Sequence, residues 1–484
     1  MGYKLLKMKT NSPLLLIIIV VLFVFSHANA QNSSTLNGKM LTKNQIIEDY
    51  DILYSTLVNY HPVPFQYINE EDLKTFYNRQ KSQFPESLTE LEFNKLSRNL
   101  IAKIGCGHTS GKPSDEWFKA VTGQNVLLPF TVQKTDDDVY ISGIVDEEFD
   151  FQINDKILAI NHIPIEEILM QMAENQQRDG LTQSFVDKAI YASFRTYYLF
   201  LYGIQKEFHI DYKTKTGEIN STIVQPTNKK IIETKQQELT DNFYKIYEHK
   251  WSLFAYDSTN HLAYLKIKSF SDRNEYKDYY EKVFKWLAQQ PQAKLIVDIR
   301  DNGGGFFKNG NKLLTYFTPN KFDFNMHRPK RKLEKNKYTK MNKSTKWTKV
   351  AFSLKPSKQR TKGVKTITFK FKPNKLNYKG DVHLLTNGNT FSQAALVASQ
   401  LKEYGATIYG METGGTEQGT NCMLNYQLVL PNSGLKITIP YYQVLSNSTK
   451  SEFGYGVKPN YEIKPAHFTL EDNVLNDVVK IISK

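Results

Sequence analysis

The chain has 484 residues, 40% of them hydrophobic and 13% aromatic, with 29 Tyr and 29 Phe. That length predicts two to four domains, and so apolar a composition excludes global disorder. The net charge of +14 does not mark a nucleic-acid binder, because it is concentrated: between Arg328 and Lys379 nineteen Lys/Arg face one acid, Glu334, for a local charge of +18. No nucleic-acid module accompanies that segment. It reads as a solvated basic loop or hairpin, with contact between 328–379 and an anionic polymer or lipid head groups as the functional alternative.

At the N-terminus Lys4, Lys7 and Lys9 precede an unbroken apolar run over 14–25. Ala28-Asn29-Ala30 then offers a small-x-small cleavage site before Gln31. This order predicts a secretory signal peptide over 1–30, since the run is short for a membrane span of ~20 residues. No Cys follows it to carry a lipid. An exported protein is expected, periplasmic or extracellular, with no membrane span in the mature chain. Export permits a disulfide between Cys106 and Cys422, but two small buried residues fit as well. No CxxC, HExxH or calcium-loop pattern occurs, so neither a metal nor a cofactor is predicted.

Residues 31–123 read as a helical region. Apolar positions from Ile46 to Val58 keep a helical period. Thr42 with Gln45, and Thr89 with Glu92, form candidate capping boxes at two helix starts. Pro62 and Pro64 stop the first helix, and the second ends at Gly105-Cys106-Gly107-His108-Thr109. Residues 124–226 turn to short strands over 126–132, 138–145 and 156–160. A helix from Ile165, an extra helical stretch over 181–201 and a strand over 207–213 follow. Residues 227–250 are taken as a linker, with a linker helix over 236–255.

Residues 251–484 alternate strand and helix. Strands are predicted at 261–267, 294–299, 382–386 and 407–410, with helices at 275–290, 311–317, 392–403 and 470–482. The run 294–299 is almost wholly apolar, as a strand buried on both faces requires. A hairpin over 424–440 turns at Asn432-Ser433-Gly434. The alternation argues an α/β domain on a central sheet, interrupted by a basic insert over 320–379.

Two places could carry chemistry. Asp298-Ile299-Arg300-Asp301-Asn302-Gly303-Gly304-Gly305 follows the buried strand, where glycines let backbone N–H groups approach a ligand. It lacks the Gly-Lys-Ser/Thr ending of a phosphate loop, which favours an oxyanion hole or a plain tight turn. Ser392, in Asn389-Thr390-Phe391-Ser392-Gln393, opens a helix whose free N–H groups favour a developing oxyanion. From position alone a helix cap is the better reading. A serine nucleophile needs a base. Lys402 lies roughly 15 Å along the same helix at ~1.5 Å per residue, so His108, in a loop beside Gly107, is the stronger candidate.

Four segments in order then carry a resemblance: 295–305, Thr390-Phe391-Ser392-Gln393-Ala394-Ala395, Gly410-Met411-Glu412-Thr413-Gly414-Gly415, and Gly454-Tyr455-Gly456-Val457-Lys458-Pro459-Asn460. Together they resemble the S41 family of tail-specific (C-terminal processing) peptidases. Upstream, Asn154-Asp155-Lys156-Ile157-Leu158-Ala159-Ile160-Asn161 resembles the "GD-x-I-L-x-I-N-G" signature of PDZ domains. Asn154 and His162 stand there for the two glycines, both residues that tolerate positive φ.

The resemblance implies an α+β / α/β multidomain fold: a helical N-terminal region, a PDZ-like β domain at 124–226, and a crotonase-like α/β catalytic domain. One style in the family uses a Lys in "T-x-G-K". Thr416 follows Thr413-Gly414-Gly415 here, so that Lys is missing. The other, tricorn-core-like style uses a "G-H-T" histidine and a late Glu. The resemblance therefore implies a serine peptidase with Ser392 as nucleophile, His108 as base and Glu452 orienting it. Backbone N–H groups of Gly304 and Gln393 would form the oxyanion hole, and the partner would be a polypeptide substrate. Gly107 departs from the Ser that precedes His in tricorn-like members, leaving the relay open. The rival implication is a catalytically reduced peptide- or lipid-binding protein on the same fold.

Overall fold

The computed structural model describes residues 36–484 apart from 136–137, 147, 232–238, 240–241, 273–275, 331–335, 355–362, 449–450 and 467–470. The expected signal peptide lies outside these residues. Among the described residues no helix is long and apolar enough to cross a membrane.

Both predicted capping boxes form, opening the helices Lys43–Tyr60 and Glu90–Ala102. A helix that the apolar period did not show, Glu70–Ser82, lies between them; only Leu73 on it is buried, so it carries little pattern. The N-terminal helices do not form a separate body. Ile46, Tyr50, Leu53 and Leu100 share one core with Met326, Ile367, Leu428, Ile437 and Val444 from the C-terminal half. The short strand Ser110–Lys112 pairs antiparallel with Lys436–Ile439, which ties the segment after His108 to the hairpin.

The middle region is a twisted sheet in the order Phe130–Thr135, Asp138–Ile144, Lys156–Ile160, Phe208–Lys213, Ile219–Val224. Helices Ile165–Glu174, Gln183–Ala192 and Phe194–Tyr202 close its core. Asn154 at φ 77° and His162 at φ 63° take the left-handed turns expected of the missing glycines.

The C-terminal region is built on a seven-stranded sheet: Tyr244–His249, Ser252–Asp257, Leu262–Ile267, Lys294–Asp298, Val382–Thr386, Thr407–Gly410 and Tyr461–Glu462. The first three strands run antiparallel and the rest parallel. Of the linker helix predicted over 236–255, residues 236–238 and 240–241 lie outside the described residues, and 244–257 is instead an antiparallel hairpin on the sheet edge. Ser252–Asp257 is buried at every position, but the polar Ser252 and Asp257 at its ends leave an apolar run of only four residues, which hid it.

Leu295 and Val297 face helices Tyr276–Leu287, Phe307–Leu314 and Gln393–Glu403. Ile296, one residue out of phase, faces the closing helix Asn473–Ile482 on the other side. The basic insert is more than a loop. Phe322–Pro329 pairs with Val364–Phe371 over eight residues. Those strands continue through Tyr442–Leu445 to Gly419–Cys422 in one sheet. The sheet thus ends on the strand that carries Thr420.

Candidate active site

Two loops at the carboxyl ends of neighbouring parallel strands bring the first groups together, as open α/β sheets do. After Lys294–Asp298 the chain turns through residues 299–305; after Val382–Thr386 it turns through 387–392. The loops are laced together. Thr390 Oγ1 donates to the Ile299 carbonyl at 2.9 Å, Phe391 N donates to the Asn302 carbonyl at 3.0 Å, and Asp301 N donates to Asn387 Oδ1 at 3.0 Å. Beneath them Asp298 is fully buried against Arg300, Tyr264 and Lys266. Burial alone would raise its pKa, but the two cations hold it down to about 2. This charged cluster is scaffolding rather than chemistry.

Ser392 occupies the cap position of Gln393–Glu403 with φ 55° and makes no side-chain cap bond. Left-handed φ is costly for a non-glycine residue, and here it turns the hydroxyl off the helix end. Ser392 Oγ lies 3.0 Å from His108 Nε2. The two residues suggested by sequence, 284 positions apart, therefore meet within hydrogen-bond reach.

His108 is held on three sides. Its ring stacks on Phe391 at 4.8 Å, and Phe391 stacks in turn on Phe185 at 4.6 Å. Gly107 explains its own presence: a Cβ there would come within 2.6 Å of the Phe391 ring. A serine at 107 would push that stack apart. On its far side, His108 Nδ1 lies 3.2 Å from Thr420 Oγ1. Thr420 Oγ1 donates to Asp179 Oδ2 at 2.7 Å, and Gly107 N donates to Asp179 Oδ1 at 2.7 Å.

The proton count fixes the tautomer. Thr420 has one hydroxyl proton, and an ionised Asp179 takes it. Toward His108 the threonine oxygen can then only accept, so Nδ1 carries the ring proton. Nε2 keeps its lone pair, pointed at Ser392, as a general base requires. Burial pushes the His108 pKa down to about 4, which keeps the ring neutral at ordinary pH. Burial also pushes Asp179 up to about 6, against the lowering effect of its bonds from Thr420 and Gly107.

Asp179 and Thr420 are the positioning residues that sequence reasoning missed. Asp179 sits between the helices Ile165–Glu174 and Gln183–Ala192 of the middle region. The Asp-Gly dipeptide marks a turn, but nothing in the spacing ties it to His108. The loop is sewn in: Gly180 N donates to the Gly105 carbonyl at 3.0 Å, Leu181 N to the Gly454 carbonyl at 2.7 Å, and Thr182 Oγ1 to the Gly414 carbonyl at 3.0 Å.

Two expectations need correction. Glu452 does not orient His108: its carboxylate is 58% exposed and forms an ion pair with Lys458 on the surface. A long exposed side chain is drawn to water and to the nearest cation rather than to a buried imidazole. Gly304 is at the site, but its N–H donates to Asn302 Oδ1 at 2.9 Å and so is committed. It contributes by close approach, since a Cβ there would lie 2.8 Å from Ser392 Cβ and 2.9 Å from Gln393 N. Gln393 opens the helix, where its amide has no intrahelical acceptor.

Lys402 pairs with the buried Glu417 at 2.9 Å, away from Ser392. Thr416, standing where a dyad lysine would be, donates to the Gly419 carbonyl. Cys106 and Cys422 are both free and buried.

Residues 261–463 match peptidase family S41, and residues 124–238 match the PDZ domain. Mature CPAF complexed with lactacystin aligns over 91% of this chain and 98% of its own, at 13% identity and a TM-score of 0.62. A second mature CPAF structure aligns over 91% and 97%, at 13% identity and 0.60. A putative peptidase from Parabacteroides merdae aligns over 90% and 96%, at 12% identity and 0.46. At such identities the CPAF likeness speaks to the fold. No curated protein matches the chain. Residues 261–463 are thus an S41 peptidase domain, and a PDZ domain is set ahead of it.

Proposed function

We propose that the protein is an exported serine peptidase that uses Ser392 as nucleophile and His108 as general base, with Thr420 and Asp179 as the orienting relay. The observation that carries this reading is the 3.0 Å contact between Ser392 Oγ and a His108 Nε2 kept free to accept. Ser392 Oγ attacks the carbonyl carbon of a peptide bond and its proton passes to Nε2. The imidazolium that forms is stabilised through Nδ1–H by Thr420, whose own proton is held by ionised Asp179. When the tetrahedral intermediate collapses, Nε2 returns the proton to the leaving amine. Water repeats the sequence on the acyl-enzyme and frees Ser392.

The Gln393 amide at the helix start supports the developing oxyanion. A relay that passes through a hydroxyl still orients the ring, because orientation and tautomer, not transfer of a proton to the carboxylate, are what the acid supplies. Export is inferred from the charged, apolar and small-x-small order of residues 1–30.

The test is hydrolysis of an unfolded polypeptide by the chain beginning at Gln31, beside covalent labelling by a fluorophosphonate. Activity and labelling that both vanish in Ser392→Ala support the assignment. Equal hydrolysis by the variant would sink it. A wild-type chain that neither cleaves nor labels would favour the binding protein on the same fold.

A further inference from the structure

The basic insert holds a helix, Lys343–Ser353, that the peptidase chemistry does not use. Its inward side carries Phe352, whose ring meets Phe369 and Tyr442, and Lys349, 5.0 Å over the Tyr441 ring. The outward side is where a helix on a water-soluble surface places charge. Here Trp347 is 76% exposed and Leu354, just past the helix end, is 80% exposed, with Val350 half exposed between them. Positions i, i+3 and i+7 form one stripe on one face. Lys340, Lys343 and Lys346 are exposed around the same end, within the segment whose net charge is +18.

We propose that this face docks the protein on an anionic lipid surface. An anionic polymer would engage the lysines and leave Trp347 and Leu354 in water. A lipid interface uses both: lysines meet the head-group phosphates while the aromatic and aliphatic side chains enter the acyl boundary. Trp suits that depth, with an apolar body and a polar N–H. The stripe runs about 10 Å along the helix, as required of a helix lying in the interface plane rather than crossing it. Each basic residue near such a surface adds about fivefold to partitioning. This docking is independent of whether the Ser392 site cleaves peptides.

The experiment is co-sedimentation of the chain beginning at Gln31, which retains every described residue, with phosphatidylcholine vesicles with and without phosphatidylglycerol. Binding is expected only with phosphatidylglycerol, weakening as salt rises. Trp347→Ser with Leu354→Ser should lower it roughly tenfold or more while retention on heparin is kept. Lys343→Gln with Lys346→Gln should weaken both.

A second readout needs no variant. Of the four Trp, Trp117, Trp251 and Trp286 are not exposed, so a blue shift of emission on vesicle binding reports Trp347. Three results would overturn the proposal: vesicle binding unchanged in the double Ser variant, heparin retention without vesicle binding, or lipid-free self-association that the Ser variant abolishes.

Discussion

The loop around Asp179 and the loop around Glu452 touch each other, since Leu181 N donates to the Gly454 carbonyl at 2.7 Å. Yet they treat a carboxylate in opposite ways. Asp179 is 2% exposed and takes two hydrogen bonds from inside the site. Glu452 stands in water with Lys458. Two carboxylates in one neighbourhood therefore differ because one loop is buried against His108 and Thr420 and the other stands at the surface. Burial, rather than distance along a motif, selects which acid can direct an imidazole.

The largest expected effects fall on the groups that both loops surround. Ser392→Ala and His108→Ala should each lower kcat/KM roughly 10⁴- to 10⁶-fold on a polypeptide substrate. Asp179→Asn should lower it about 10²- to 10⁴-fold with the fold kept. One amide oxygen cannot accept from both Gly107 N–H and Thr420. With the amide nitrogen facing Thr420, the threonine proton turns to Nδ1 and Nε2–H confronts Ser392. Steady-state kinetics with a circular dichroism control would check this, and a change of under tenfold would remove Asp179 from the relay.

Thr420→Val leaves Asp179 without one donor and His108 without its acceptor. The cost of such an unpaired buried group is roughly 10- to 100-fold, mostly in kcat. Glu452→Gln should stay within about twofold, as surface ion pairs contribute little. If Glu452→Gln instead matched Asp179→Asn, the contrast between the loops would be reversed.

Titration sharpens the same comparison. His108 is lowered to about 4 in the fold from an ordinary 6.5, so its contribution to stability is present above 6.5 and lost as pH falls through 4. Asp179 is raised to about 6 from 3.8, so its contribution is present below 3.8 and lost as pH rises through 6. The two oppose each other over about pH 4–6, leaving the wild-type profile nearly flat there. In Asp179→Asn only the histidine remains, and denaturant midpoints should climb from pH 4 to 6.5. In wild type kcat/KM should rise through about pH 6 as Asp179 ionises, a limb that Asp179→Asn should lose.

The central sheet was legible because Leu295, Ile296 and Val297 are buried on both faces, and the helix starts because Thr42 and Thr89 carry their partners three residues on. Ser392 and His108 were legible through the motifs around them, which locate them in loops. Asp179 and Thr420 were not. Each is a polar residue of ordinary type, and only the docking of the 175–182 turn against the strand Gly419–Cys422 brings them together. Gly304 shows the reverse error: its glycine was rightly singled out, but its role is the absence of a Cβ beside Ser392 rather than a free amide. The hairpin at 244–257 was missed because Tyr244–His249 is largely exposed and Ser252–Asp257 bounds a four-residue apolar run with a buried Ser and a buried Asp.

Gly107, Asp179, Ser392 and Thr420 come from three distant stretches of chain, and the relay closes only after all have folded and docked. Contacts of such sequence separation form late and slowly. In a chain partly unfolded by stress, the proposed nucleophile Ser392 would stand without its proposed base His108. Proteolytic power is thereby withheld from every intermediate that could turn on its own unfolded copies, and arrives together with the native state.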